Sequence, residues 1–282
     1  MSDNTQQGLQ NQAFGVLVFL FTVISLILQV IPMFVIQRTL YEARERKCRT
    51  YHWAAFVLSN IMAELVWNTG VAIICFLVWY YPMGLFRNAQ WTGTVNTRST
   101  LVFLVIWTAF LFGSSLAHAL IAGSPTSEAA SALGNVLGIM MYAFCGILVQ
   151  KENLPRFWIF MYRVNPFTYL TGSFLSAALG EAPVQCASDE LLTMSAPGSQ
   201  TCEQFLKSYV EAAGGYVADP AATDACQYCP VRNTTEYLAS VGINFGDRWR
   251  DFGLMWVYVC VNIAAAVALY WLFRVPKNKA RV

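Results

Sequence analysis

Long apolar runs alternate with short polar segments along this chain. Each run holds about 20 nearly uncharged residues, which is the length a helix needs to cross the hydrocarbon core of a membrane. The first run leads directly into an arginine-rich stretch and lacks the cleavage pattern of a signal peptide. We therefore predict an all-α integral membrane protein with five transmembrane helices, at residues 13–36, 53–80, 101–122, 132–149 and 252–273.

A sixth apolar stretch, residues 157–180, is interrupted by polar positions. Arg163, Asn165 and Pro166 lie within it. A proline and the unpaired backbone around it are costly in lipid unless protein buries them. We expect a re-entrant or extracellular helical hairpin here instead of a crossing.

The composition supports a membrane protein. The chain has 282 residues, of which 56% are hydrophobic and 12% are charged, whereas soluble domains carry about 25% charged residues. Membrane lipids are therefore its expected surroundings. The net charge of +2 is too small to indicate a nucleic-acid partner.

The basic residues concentrate in two segments, the loop 37–52 and the tail 274–282. The positive-inside rule places both segments in the cytoplasm. With five crossings, the N-terminal segment 1–12 and the large loop 181–251 then lie outside. Counting residues 157–180 as a sixth crossing would move the basic loop or the basic tail outside, so the charge distribution favours five.

The large loop holds four cysteines, at Cys186, Cys202, Cys226 and Cys229. An even number of cysteines in a polar loop is typical of a disulfide framework in an oxidising compartment, and three pairings are open. The Cys-x-x-Cys spacing could instead indicate zinc or a thioredoxin-like site, but no second pair or histidine cluster lies nearby. Asn233 begins a glycosylation sequon, which also fits an outer location.

The cytoplasmic loop contains a charged helical pattern at residues 40–49. Thr39 and Glu42 have the spacing of a capping box, and Glu42–Arg46 and Glu45–Arg49 have the spacing of i,i+4 ion pairs. We predict a short helix lying across the cytoplasmic mouth. Two interpretations stay open, a solvated loop that fixes topology and a docking helix for a cytoplasmic partner.

Thr22, Ser25 and Gln29 share one face of the first predicted span. A glutamine in a spanning helix needs a hydrogen-bond partner or water. The face is either a contact between helices or a polar strip on a substrate path.

The second span carries a similar face, formed by Asn60, Glu64 and Asn68. Glu64 is the only acid deep in an apolar run, and an intramembrane carboxylate is a functional candidate by default. Pairing with a basic group of the cytoplasmic loop is the alternative.

Small residues recur every fourth position at the start of the fourth span, at Ala130, Gly134 and Gly138. Such a ridge favours close packing between helices. Met141 and Phe144 follow it, and they are either packing residues or part of an adaptable apolar site.

Motifs for catalysis are absent from the sequence. It contains no metalloprotease, hydrolase or phosphate-loop signature, so this chain cannot bind ATP through a phosphate loop. A membrane-embedded enzyme would need polar or metal-binding residues gathered at one depth, and the two histidines, His52 and His118, do not provide them.

Several strings together resemble the second membrane domain of fungal pleiotropic drug resistance ABC transporters, which belong to the G subfamily. They follow the family order over essentially the whole chain. They are Gly-Leu-Gln-Asn-Gln at residues 8–12, Leu-Tyr-Glu-Ala-Arg-Glu-Arg at 40–46, Leu-Pro-Arg-Phe-Trp-Ile-Phe-Met-Tyr-Arg at 154–163, Asn-Pro-Phe-Thr-Tyr-Leu at 165–170 and Arg-Trp-Arg-Asp-Phe-Gly at 248–253.

The resemblance implies an ATP-driven exporter of hydrophobic or amphipathic compounds such as drugs or lipids, located in the plasma membrane. In such a transporter, two nucleotide-binding domains hold ATP and Mg²⁺, and two six-helix membrane domains form the path. This chain would supply the last five helices of one membrane domain and would be a fragment, a truncated gene model or a degenerate copy. A remnant that does not transport, or that regulates, is the alternative.

The resemblance also assigns roles to individual segments. Residues 13–180 would form the ABC-2 type transmembrane domain, with 157–180 as short extracellular helices, and residues 181–251 would form an extracellular lid. The nested pairing Cys186–Cys229 and Cys202–Cys226 is implied for that lid. The coupling helix would consist of Leu40, Tyr41, Glu42, Arg44, Glu45 and Arg46, and the substrate path would be lined by Thr22, Ser25, Gln29, Met141, Phe144 and Cys145.

Overall fold

The computed structural model describes residues 4–149, 154–196 and 200–275. Its long helices are α1 (Gln6–Leu40), which continues as a π-helical turn over Tyr41–Glu45, α2 (Trp53–Tyr80), α4 (Val95–Gly123), α5 (Ser127–Ala143), α7 (Pro166–Leu179) and α10 (Arg248–Arg274). Shorter helices are α3 (Phe86–Gln90), α6 (Ile159–Val164), α8 (Cys202–Ala213) and α9 (Thr234–Ser240), with 3₁₀ turns at Arg156–Trp158 and Phe245–Asp247. Three strands, β1 (Leu192–Ser195), β2 (Tyr216–Val217) and β3 (Ala225–Cys229), complete the described part.

Four helical segments within the described ranges are long and apolar enough to cross a membrane. They are Gln6–Glu45, Trp53–Tyr80, Val95–Gly123 and Phe245–Arg274. Each contains one of the apolar runs recognised in the sequence. Three of the segments extend beyond those runs, because the adjoining polar residues continue the backbone hydrogen-bond pattern, while Trp53–Tyr80 has the bounds of its run.

The remaining predicted span has different bounds from those expected. Residues 132–149 were predicted to form it, whereas α5 has 17 residues, Ser127–Ala143, and begins at the capping hydroxyl of Thr126. A helix of this length is about 25 Å long, which is shorter than the hydrocarbon core. The helix ends at a turn in which Gly146 has φ +93°, and a Cβ there would lie 2.9 Å from the Tyr162 ring.

The interrupted stretch forms two helices, α6 and α7, with a bend between them at Asn165, and the two are together called the hairpin. Pro166 occupies the first turn of α7, and Asn165 caps that helix by accepting a bond from the Phe167 amide at 3.0 Å. The Tyr258 hydroxyl, ten residues into α10, donates to the Val164 carbonyl at 2.8 Å. The bend between the two short helices therefore lies alongside the middle of α10.

The hairpin also satisfies the open carbonyls at the end of α5. Asn165 donates to the Met141 carbonyl at 2.7 Å, Thr168 to Phe144 at 3.0 Å and Thr171 to Cys145 at 2.9 Å. Unpaired carbonyls at this depth would cost several kcal/mol each in lipid. The early end of α5 is thus compensated by side chains of the hairpin.

Helix α4 is the centre of the bundle. In its apolar window 72% of the residues are buried, against 11% in the window of α2. The α4 residue Phe110 and the α7 residue Phe174 both contact Phe19 of α1, with ring centroids 5.9 and 5.6 Å apart. Helix α2 is therefore peripheral and presents most of its surface to lipid or to another protein.

The cysteine-bearing loop contains a small antiparallel sheet in the order β1-β3-β2. The all-α prediction missed it, because its strands are only two to five residues long and two disulfides hold it. These bonds, Cys186–Cys229 and Cys202–Cys226, form the nested pairing implied by the resemblance. All four sulfurs are oxidised, so zinc ligation by this Cys-x-x-Cys pair is excluded.

The two ends of the bundle have different character. Arg38 and Arg274, from the two basic segments, both donate to carbonyls at the end of α4. At the opposite end, Glu190 of the cysteine-bearing loop accepts bonds from the Gln6 and Gln7 amides at the start of α1. The basic loop and the cysteine-bearing loop are therefore separated by the full length of the bundle.

Candidate functional site

Residues 40–45 continue α1, and residues 46–49 form turns, so the segment 40–49 is not the separate short helix that we predicted. The Thr39 hydroxyl donates back to the Ile36 carbonyl at 2.7 Å instead of capping a new helix. The amide of Arg46 donates to the Tyr41 carbonyl at 2.9 Å, across the wider spacing of a π-helical turn. No helix-breaking residue separates α1 from this segment, so the helix runs on.

The predicted ion pairs of this segment do not form. Among the described residues, the salt bridges are those of Arg250 with Asp247 and Asp251. The Glu45 carboxylate instead accepts a hydrogen bond from the Tyr51 hydroxyl. That bond favours the neutral phenol and raises the pKa of Tyr51 to about 12.

Aromatic rings anchor the same segment to α2 and α10. Tyr41 is buried and stacks on Phe56 of α2, with ring centroids 4.6 Å apart. Phe56 in turn contacts Tyr270 of α10 at 6.0 Å. A force applied to residues 40–49 would therefore reach α2 and α10 as well as α1, because packed rings do not deform independently.

The polar face of α1 lies on the outside of the bundle. Thr22, Ser25 and Gln29 are all exposed, and the Thr22 hydroxyl donates to the Phe19 carbonyl of its own helix at 2.6 Å. Exposed apolar residues continue the same surface, among them Phe14 and Val18. This face therefore lines no internal pocket of the described chain.

An apolar cavity of about 250 Å³ lies between α4, α5, α10 and the hairpin. Met141 and Phe144 line it, together with Tyr258 and Asn262 of α10. Cys145 does not line it: its side chain is buried, and its carbonyl accepts a hydrogen bond from Thr171 at 2.9 Å. The two predicted faces of the substrate path thus lie on different sides of the α1–α5 pair.

Sequence reasoning missed the contribution of α10 to this cavity. Asn262 is a polar residue within an apolar run, which is the signal that could have identified it. Its amide donates to the Ser115 hydroxyl of α4 at 3.4 Å. Its position near the cavity depends on packing between α10 and α4, which one sequence does not reveal.

Helices α1 and α5 pack closely through the small-residue ridge. A Cβ on Gly134 would lie 3.5 Å from Ile27, and one on Gly138 would lie 3.0 Å from Ile24. Ala130 is also fully buried. The ridge therefore serves helix packing, as its four-residue spacing predicts.

The polar face of α2 divides into three different environments. Asn68 is buried and donates to the Ser114 hydroxyl of α4 at 2.8 Å, while Asn60 donates to the Phe56 carbonyl at 2.8 Å. Glu64 is half-buried, and within the described residues its carboxylate has no hydrogen-bond or ionic partner. The alternative interpretation, in which Glu64 pairs with a basic group of the cytoplasmic loop, is therefore not seen among the described residues.

The glycosylation sequon lies at the end of the bundle that carries the cysteine-bearing loop. Asn233 is exposed and precedes the first residue of α9. The next two hydroxyls accept backbone bonds, Thr234 from Ala182 at 2.9 Å and Thr235 from Glu181 at 3.3 Å. The Asn233 side chain is thus presented on an ordered turn.

These features define a multi-pass α-helical membrane domain with the hairpin of α6 and α7 and a disulfide-bonded loop at one end. The sequence profile of the ABC-2 type transporter matches residues 1–179. The chain belongs to that family, and the resemblance found in the sequence is confirmed.

Curated relatives cover nearly the whole chain. ABC multidrug transporter F of Aspergillus fumigatus is 62% identical over 282 residues, which are 99% of this chain and 19% of that protein. ABC multidrug transporter A-1 of the same fungus is 48% identical over 279 residues, 19% of its length. The ABC-type transporter vrcC of Aspergillus aculeatus is 48% identical over 279 residues, 20% of its length. The chain thus spans about a fifth of the curated relatives it matches.

Proposed function

We propose that this chain is the membrane-domain portion of an ATP-driven exporter of hydrophobic or amphipathic small molecules, such as drugs or lipids. The observation that carries the proposal is the 62% identity to an ABC multidrug transporter over 99% of the chain. ATP and Mg²⁺ would bind to nucleotide-binding domains on other parts of the transporter. The exporter would reside in the plasma membrane.

The polar face Thr22, Ser25 and Gln29 is our candidate for one wall of the substrate path. Its exposure supports this role, because a polar strip among apolar residues is unfavourable against lipid and favourable against water or a second membrane domain. The second transmembrane domain of the transporter would cover it. The cavity lined by Met141 and Phe144 would hold apolar groups at a second position behind α5.

Residues 40–49 are our candidate for the segment that couples ATP hydrolysis to helix movement. Leu40 and Arg44 are exposed at the end of the bundle, where a nucleotide-binding domain could contact them. The buried ring of Tyr41 would pass the displacement to α2 and α10. Glu42, Glu45 and Arg46 belong to the same turn and would shape its surface charge.

A chimera tests the proposal. The matching segment of ABC multidrug transporter F is replaced by this chain, and the accumulation of a fluorescent apolar dye is measured in yeast without endogenous drug pumps. We expect the chimera to lower accumulation as the unmodified transporter does, and a phosphate-loop variant of the host to abolish the effect. A chimera that reaches the cell surface and hydrolyses ATP but exports nothing would refute the proposal.

A further inference from the structure

The end of the bundle that carries the basic loop contains two adjoining depressions. One, of about 560 Å³, is lined by Glu42, Arg46, Lys47, Phe273, Arg274 and Val275. The other, of about 330 Å³, is lined by Tyr41, Arg46, Arg49, Tyr51, His52, Trp53 and Val275. Arg46 and Val275 belong to both, so the two form one continuous surface, here called the basic depression.

Cations dominate the lining of the basic depression. Arg46, Lys47, Arg49 and Arg274 line it, together with one carboxylate, that of Glu42. The carboxylate of Glu45 accepts a hydrogen bond from the Tyr51 hydroxyl.

These cations are largely without partners. Within the described residues, the side chains of Arg46, Lys47 and Arg49 have neither a hydrogen-bond nor an ionic partner. Arg274 donates to the Ser124 carbonyl, while its Nε is buried and unpaired in the described structure. The lining therefore has four cations against the single carboxylate of Glu42, and it keeps a net positive charge.

Apolar and aromatic groups form the other wall of the depression. Phe273 is 61% exposed, and Val275 and Trp53 lie beside the cations. Aromatic residues at the end of a spanning helix are typical of the membrane–water interface. An apolar wall makes no favourable contact with a small hydrated anion. It does make favourable contact with the apolar tail of a ligand whose head group is anionic.

The position of the depression agrees with such a ligand. It lies where the candidate spans Gln6–Glu45 and Phe245–Arg274 end and where Trp53–Tyr80 begins, which is the level of lipid head groups. Clusters of four or more Lys and Arg beside a spanning helix attract anionic lipids with about 1 kcal/mol per residue.

We infer that the basic depression binds the phosphate-bearing head group of an anionic phospholipid, with an acyl chain along Phe273. The bound lipid would bridge the π-helical turn at the end of α1 and the last turn of α10. The site shares Arg46 with the candidate coupling segment, but lipid binding itself requires only these cations and a membrane surface. It would hold the segment 40–49 against α10 whenever the lipid is present.

Native mass spectrometry of the purified chain in detergent tests the inference with three probes. These are dioctanoyl phosphatidylserine, dioctanoyl phosphatidylcholine and the acyl-free head group glycerophosphoserine. We expect phosphatidylserine to bind at least about tenfold more tightly than phosphatidylcholine, and the acyl-free head group to bind more weakly than phosphatidylserine. The double variant Arg46→Gln/Lys47→Gln should bind phosphatidylserine about thirtyfold more weakly, since two such cations contribute about 2 kcal/mol.

Two control variants make the test specific. Lys207→Gln/Arg232→Gln removes the same charge from exposed positions at the opposite end and should bind phosphatidylserine as the unmodified chain does. Arg46→Lys/Lys47→Arg keeps the charge and should retain binding, which separates charge from misfolding.

Two results would overturn the inference. Equal binding of the two lipids would exclude an anionic lipid site. Equal affinity for phosphatidylserine and its acyl-free head group would also exclude it, and would indicate a site for a soluble anion or an acidic protein segment.

Discussion

Three charged side chains close the ends of helices other than their own. Glu190 accepts hydrogen bonds from the first amides of α1, while Arg38 and Arg274 donate to the last carbonyls of α4. Free amides at a helix start carry partial positive charge and free carbonyls at its end partial negative charge, so each contact is favourable in sign. Together they fix the cysteine-bearing loop to α1 and both basic segments to α4.

The Glu190 contact should weaken in acid. Burial alone would raise the pKa of this carboxyl, but hydrogen bonds from the Gln7, Ala187 and Gln6 amides outweigh it and lower the pKa below its ordinary value of 4.5. Because the folded-state pKa is lowered, the stabilisation is fully present above pH 4.5 and is lost as the pH falls through the folded-state pKa. Protection of the Gln6 and Gln7 amides, measured by hydrogen exchange and corrected for intrinsic rates, should fall over that range.

Variants check the assignment to Glu190. Glu190→Gln should lower amide protection already at neutral pH and remove the acid dependence, because a neutral amide accepts these bonds less strongly. Asp224→Asn changes an exposed acid of the same loop. It should leave both the amide protection at neutral pH and its acid dependence unchanged. An acid dependence that survives in Glu190→Gln would contradict the assignment.

At the scale of the helices, α1 and α5 can approach closely because glycines of α5 have no side chains at the contact. Gly138→Leu should push the two helices apart, since even a Cβ at this position lies 3.0 Å from Ile24. Overpacking of this kind destabilises by about 1–3 kcal/mol. Thermal unfolding in detergent should show a lower midpoint for Gly138→Leu. Gly70→Leu is the matched control, because a Cβ at Gly70 meets nothing within 4 Å; equal loss in both variants would refute the packing argument.

Much of the helical framework could be predicted from local pattern. The length of an apolar run, and any interruption of it, can be read directly from the sequence. Four spans and the break at Pro166 could therefore be predicted. The position at which α5 ends could not be predicted from local pattern. It depends on the close approach of Gly146 to the Tyr162 ring and on hairpin side chains that donate to the free carbonyls of α5. The sheet was missed for the same reason, since disulfides between distant residues hold its short strands.

The candidate site was predictable only in part. The polar face of α1 follows from helical spacing, and so does the small-residue ridge of α5. The packing of the helices decides on which side of the α1–α5 pair each face lies. As a result of that packing, Met141 and Thr22 lie on different surfaces. The predicted pair Glu45–Arg49 does not form, and the Tyr51 hydroxyl, outside the segment, donates to the Glu45 carboxylate instead.

At the scale of the whole molecule, the basic loop and the cysteine-bearing loop lie at opposite ends. Five crossings would put Asn233 outside and Cys48 in the cytoplasm. In intact eukaryotic cells we expect a glycosidase-sensitive mass shift that Asn233→Gln removes. Cys48, an exposed free thiol, should react with a membrane-impermeant maleimide only after permeabilisation, and Cys48→Ser should lose that signal. Labelling of Cys48 in intact cells would contradict the proposed topology.

The most direct test of the account is the ratio of transport to ATP hydrolysis in the chimera reconstituted in vesicles. Arg44→Glu reverses a charge on the exposed face of residues 40–49, outside the basic depression, and Arg232→Glu makes the same change at the opposite end. Coupling between two distant sites typically changes the binding affinity at one of them by a factor of about 5 to 150. We predict that Arg44→Glu lowers substrate moved per ATP at least about fivefold while hydrolysis continues, and that Arg232→Glu changes neither. An unchanged ratio in Arg44→Glu would contradict the claim that this segment drives the membrane domain.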